Sequence, residues 1–117
     1  MPELILGLDV GTTSVTALVV DLSGRVHGQG QVRLVSAHPA PGRVEQDPRD
    51  VWKRVEEAIG AALNDAGRRA SDLAALGVAT QRSSVLVWER ASGEPVAPMM
   101  SCLQGAGQTR AAEWMAE

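Results

Sequence analysis

The sequence predicts an α/β fold in which three antiparallel strands open the chain, one amphipathic helix follows, and further strands come after it. Three observations carry that expectation. Two short β-branched runs, residues 4–10 and Val15 to Val20, flank Gly11-Thr12-Thr13 like the arms of a hairpin. A third run, Val26 to Val35, places Val26, Gly28, Gly30, Val32 and Leu34 in one period-2 register, the pattern of a strand exposed on one face. Val51, Val55, Ala58, Ile59, Ala62 and Leu63 then recur at three- and four-residue spacing, the stripe of a helix with one apolar side.

Each element has its own local signals. The run at residues 4–10 is nearly continuous in apolar residues and reads as a strand buried on both faces. The second strand stops at Asp21-Leu22-Ser23-Gly24, a turn sequence. Residues 36–46 carry Pro39, Pro41 and Gly42 and read as a loop. Asp47-Pro48-Arg49-Asp50 then has the marks of a helix start: an Asp cap, proline at the first helical position and an acid three places after the cap. The helix is expected to end near Gly67. Leu76 to Thr80 reads as a fourth strand, Ser84 to Trp88 as a fifth, and Ala91 to Pro95 as a turn. After Pro98 the pattern weakens; Gly105-Ala106-Gly107 reads as a loop and Thr109 to Ala116 as a helix cut off by the last residue. Trp52 and Trp88 are expected in the core, His27 and His38 at the surface.

A chain of 117 residues holds one modest domain or one layer of a larger fold. Its net charge of -3 provides no basic field to gather nucleic acid or anionic lipid. No apolar run reaches the ~20 residues needed to cross a bilayer, and the start lacks a basic leader, so a cytoplasmic protein without a membrane partner is expected. The single cysteine, Cys102, has no internal disulfide partner, and two scattered histidines do not make a zinc site.

Two stretches carry candidate chemistry. In Asp9-Val10-Gly11-Thr12-Thr13-Ser14, a carboxylate inside an apolar run requires donors or a cation beside it. Gly11 allows a tight turn, leaving the backbone and hydroxyls of Thr12, Thr13 and Ser14 to surround phosphate oxygens, with Asp9 as the ligand of Mg²⁺. The alternative is a plain hairpin turn with Asp9 satisfied locally. Thr80-Gln81-Arg82-Ser83 follows the fourth strand, a place where open sheets bind ligands; Gln81, Arg82 and Ser83 supply donors for hydroxyls or phosphate oxygens. Here the alternative is a solvated polar loop. Gly28-Gln29-Gly30 and Gly105-Ala106-Gly107 lack a strand-then-helix context and read as turns or bulges.

Leu8 to Ser14, Pro41-Gly42-Arg43-Val44-Glu45-Gln46-Asp47-Pro48 leading into Val51-Trp52, Gly77 to Arg82, and Val87 to Pro95 together resemble the opening of the FGGY-type carbohydrate kinases. The first stretch is shared across the actin-like ATPases; the second is far more selective. The resemblance implies a ribonuclease H-like lobe, incomplete at 117 residues, with residues 1–117 forming the N-terminal part of a kinase N-terminal domain. It implies ATP and Mg²⁺ as cofactors, Asp9 at the metal, Gly11, Thr12 and Thr13 at the phosphates, and Gln81 and Arg82 toward a sugar or polyol substrate; the hydroxyls of Ser14 and Ser83 join these two sets on the reading of the residues alone. The general base lies much later in family members, so no catalytic residue is assigned in this chain. The missing C-terminal part is then the main partner, and a homo-oligomer is left open. Glycerol kinases differ at three places: Glu where this chain has Ser83, Trp-Gln-Asp where it has Cys102-Leu103-Gln104, and Arg where it has Thr16. The phosphate side therefore matches more fully than the sugar side. Two other readings stand beside this one, an actin-like ATPase of the chaperone type and a non-catalytic remnant or interaction module.

Overall fold

The computed structural model describes residues 2–102. They fall into two units, residues 2–34 with 51–81, and residues 35–50 with 82–102. The first unit is a sheet with a helix on one face. Strands β1 (Leu4–Val10), β2 (Ser14–Asp21) and β3 (Val26–Arg33) form an antiparallel meander, as the periodicity predicts. Helix α1 (Pro48–Ala66) then crosses over to β5 (Leu73–Thr80), which pairs parallel with β1 and completes the order β3-β2-β1-β5. The second unit contains β4 (Arg43–Gln46), β6 (Ser84–Val85) and β7 (Met99–Cys102), a sheet in the order β4-β7-β6.

Alternation along the strands decides what is buried. Leu4, Leu6 and Leu8 of β1 and Val15, Ala17 and Val19 of β2 point to one face, where Val55, Ala58 and Ala62 of α1 cover them. The helix lies unusually close to β3. A Cβ on Gly28 would sit 2.5 Å from the Ala62 carbonyl oxygen, and one on Gly30 2.4 Å from that of Ala58. The Gly28-Gln29-Gly30 segment is thus not a turn but part of β3, and its glycines are the seat of the helix. A bulge does adjoin it: Val19 pairs with Gly28 but Val20 with Val26, so His27 is skipped and Val26 leaves the buried register.

The helix ends obey their local chemistry. Asp47 Oδ1 accepts the Arg49 N–H at 3.0 Å, satisfying a donor of the first turn. At the other end Gly67 takes a φ of 63°, its N–H donates to Asn64 O, and the Arg68 N–H donates to Leu63 O, the paired bonds of a glycine-closed helix terminus.

Several expectations are corrected. β4 and β7 occur where the sequence reads as loop and as weak pattern, and the fifth strand shrinks to Ser84–Val85. Val87 and Glu89 instead bond to Val96 and Glu94 around the expected turn, with Gly93 at φ 75°. Trp52 and Trp88 are not core residues; they are 64% and 59% exposed, because Trp52 falls on the helix side away from the sheet and Trp88 lies in the small Val87–Val96 hairpin. The expected burial of β1 on both faces fails too, since only the α1 face is covered. The loop and helix expected at residues 105–116, with Leu103, Gln104 and Trp114, lie outside the described residues.

His27 is paired rather than free at the surface. Its Nε2 lies 2.8 Å from Asp21 Oδ2, while Asp21 Oδ1 accepts the Ser23 hydroxyl, the Ser23 N–H and the Arg25 N–H. The Ser23 hydroxyl first, then His27, hold the Asp21 carboxyl far below its ordinary value of 3.8, against a smaller opposing effect of desolvation. A depressed folded-state value contributes stability above the unfolded value, which is lost as pH falls through it toward the folded one. Urea midpoints of the parent should therefore drop as pH falls below about 4, and Asp21→Asn should flatten that part of the profile; an unchanged acid limb in the variant would contradict the assignment.

Candidate functional site

The turn between β1 and β2 is built from the Asp9–Ser14 motif. Val10 pairs with Val15, and the Gly11 N–H donates to Ser14 O at 3.0 Å, so Thr12 and Thr13 form an exposed two-residue tip. A Cβ on Gly11 would lie 3.1 Å from that same oxygen, which accounts for glycine at this position. The Leu34 N–H donates to Thr13 O at 2.8 Å and ties the tip to the chain leaving β3.

Asp9 is exposed, not enclosed by hydrocarbon as the sequence suggests. Its neighbours Leu8 and Val10 are apolar, but alternation sends Leu4, Leu6 and Leu8 under the helix and Ile5, Gly7 and Asp9 to the open face. There the carboxylate borders a shallow hollow of about 430 Å³ with Gly7, Leu18, Gly77 and Ala79. Directly across β2 from Asp9 stands Thr16, and across β3 from Thr16 stands Gln31. The three make a polar row over the open face. Gln31 Nε2 donates to Thr16 Oγ1 at 3.2 Å and to Ser14 Oγ at 3.4 Å.

Mg²⁺ takes one or two carboxylates, keeps several waters and completes its shell with phosphate oxygens. On this face Asp9 could supply one such carboxylate. Among the described residues no group of three or more His, Cys, Asp or Glu side chains is gathered to enclose a metal by protein alone.

Gln81 is placed beside the hairpin. Thr80 pairs with Val10, and the Gln81 N–H donates to Val10 O at 2.8 Å. Both sequence motifs therefore leave the carboxyl ends of two neighbouring parallel strands, where open α/β sheets bind ligands. Arg82 and Ser83 belong to the second unit and are exposed. Ser83 adopts φ 57°, the left-handed backbone that non-glycine residues rarely take and that clusters at functional sites. Nothing in the local sequence signals it.

In the second unit a hollow of about 440 Å³ is bordered by Glu45, Asp47, Arg49 and the segment Pro95 to Pro98. Arg49 and Glu94 form an ion pair in this unit. Gln46, 2% exposed, is held by donation from its Nε2 to Ser36 Oγ at 3.1 Å. Of these residues Asp47 is expected from sequence only as the helix cap, and Glu45 and Gln46 only as part of the Pro41–Pro48 motif.

A mixed sheet with a crossover helix fits a class of protein that its structural neighbours define: a partial actin-like ATPase lobe of the sugar-kinase type. The solved structure of a xyloylose kinase from Brucella ovis superimposes with a TM-score of 0.77 at 28% identity, covering 84% of this chain and 20% of that one. Residues 4–117 match the N-terminal domain of the FGGY family of carbohydrate kinases, and the chain belongs to that family. It is 48% identical over 95 residues to a glycerol kinase of Bordetella pertussis, covering 81% of this chain and 19% of the relative. Against a glycerol kinase of Deinococcus radiodurans it is 45% identical over 94 residues, covering 80% and 19%. The chain thus spans about a fifth of the length of these relatives. No described helix is long and apolar enough to cross a membrane.

Proposed function

We propose that residues 1–117 are the first part of the N-terminal domain of a longer cytoplasmic kinase, which transfers the γ-phosphoryl group of ATP to a hydroxyl of a sugar or polyol. The observation that carries this reading is the bond from the Gln81 N–H to Val10 O at 2.8 Å, which sets the phosphate-type turn and the start of the polar Gln81–Ser83 segment side by side. Family membership supports it independently.

In this reading the turn Gly11–Ser14 faces the phosphates and Asp9 holds Mg²⁺. The metal, when bound, neutralises charge on the phosphate oxygens. The chain's own contribution is positioning, which dominates phosphoryl transfer. Gly11 keeps the turn tight enough for backbone and hydroxyl donors to converge. Gln81, Arg82 and Ser83 offer an amide, a guanidinium and a hydroxyl to substrate hydroxyls. Ser83 is a neutral donor and acceptor, so the contact it makes carries no charge. The residue that takes the hydroxyl proton lies outside this chain.

The test is ATP consumption by the intact gene product against a panel of polyols and ketoses. At least one of them should raise consumption well above the rate without added acceptor, with a phosphorylated product. Hydrolysis indifferent to every acceptor would instead favour an ATPase of the chaperone type.

A further inference from the structure

The polar row on the open face contains a residue that the phosphate motif does not include. Gln31 lies on β3, remote in sequence from the turn, yet the antiparallel register sets it across from Thr16, which in turn stands across from Asp9. Gly28 and Gly30 face the helix, so Gln31 must face the other way, and it is exposed there. Its carboxamide N–H groups reach Thr16 Oγ1 and Ser14 Oγ at 3.2 and 3.4 Å. A hydroxyl that accepts through a lone pair still has its own proton to give. Donation by Gln31 therefore turns Ser14 and Thr16 into outward donors and strengthens them through bond cooperativity.

The open-face row adds no positive charge of its own. Its donors are two hydroxyls and an amide, and its one charged member is the Asp9 carboxylate. Donors of this kind suit an anion whose charge is already offset by a cation at Asp9.

We propose that Gln31 is a positioning residue of the phosphate site, orienting the Ser14 and Thr16 hydroxyls toward the oxygens of a magnesium-bound polyphosphate. This rests on the functional reading above and extends it from the β1–β2 turn to the third strand.

The experiment uses the intact gene product, labelled with ¹⁵N and titrated with magnesium tripolyphosphate, a probe without base or sugar. The backbone signals of Gly11 to Ser14 and the side-chain amide signals of Gln31 should move together with one apparent Kd. Gln31→Met, similar in length but without donors, should weaken that Kd roughly fivefold, the worth of about one net hydrogen bond. Gln31→Glu should weaken it more, by roughly tenfold or beyond, and most at low salt. Movement of the turn signals with a silent Gln31 amide, and an unchanged Kd in Gln31→Met, would overturn the role of Gln31 while leaving the kinase reading in place. If the turn signals themselves stay still at saturating probe, the phosphate reading of the turn fails, and Gln31 with it. The amide signals of the unsubstituted chain decide the matter even if a variant folds poorly.

Discussion

Gly30→Ala is expected to destabilise the first unit by about 3 kcal/mol, at the upper end of what a single added carbon costs in a packed interior. The added Cβ would meet the Ala58 carbonyl oxygen at 2.4 Å, the Ala61 Cβ at 2.7 Å and the Ala62 nitrogen at 2.8 Å. Two of those three atoms are helix backbone, which cannot rotate away as a side chain would. Relief requires α1 to lift from the sheet. Lifting it loosens Ala58 and Ala62, both fully buried, and Val55, against Val15, Ala17 and Val19 of β2. Gly77→Ala is the matched control. It is also a strand glycine in the same sheet, but a Cβ there meets nothing within 4 Å, so a change within about 0.5 kcal/mol is expected. Urea unfolding of the two variants and the parent measures the contrast. Equal midpoints for Gly30→Ala and the parent would mean that the helix is not seated on β3.

The same glycines mark where sequence reasoning runs out. Local rules made the opening meander legible, because β-branched runs alternate around clear turn residues and each strand pairs with the next. The helix was legible to its ends, since Asp47, Pro48 and Gly67 act within one turn of themselves. Close approach of α1 to β3 was not, because a glycine spaced for contact with a helix looks the same in sequence as a glycine spaced for a turn. β4 was hidden by Gln46: alternation is present, with Val44 and Gln46 both buried, but one buried position is polar and satisfied by Ser36. β7, Met-Met-Ser-Cys, has neither β-branching nor hydrophobic alternation to announce it.

At the site, the residues of the turn were readable but their setting was not. The carboxylate of Asp9 sits between apolar neighbours in sequence, and only the side taken by the helix decides that it faces outward. The parallel pairing of β1 with β5, which brings Gln81 to Val10, joins segments some seventy residues apart with an entire helix between them. Pairings of that range are set by the crossover of the fold and leave no local trace. Gln31 belongs to the same class: its place in the row follows from register alone.

Asp9→Asn should reduce phosphoryl transfer by the intact gene product about a thousandfold, which corresponds to the several kcal/mol that a bound divalent cation supplies to a transferring phosphoryl group. Asparagine keeps the shape of the side chain and an oxygen to offer, but not the charge with which a carboxylate holds a divalent cation. Folding should be nearly untouched. Asp9 is exposed, and its place in the ladder is held by backbone bonds that the substitution preserves, so stability should stay within about 0.5 kcal/mol of the parent. That separation makes the test sharp. An Asp that merely satisfies its own turn would, when replaced, shift stability and spare the rate; an Asp that holds a cation does the reverse. Titrating Mg²⁺ alone into the labelled gene product gives a second readout that needs no turnover: the Asp9 and Thr16 amides should respond in the parent and stay still in Asp9→Asn. Near-parental transfer by the variant would remove Asp9 from the metal and leave the turn as a phosphate contact only.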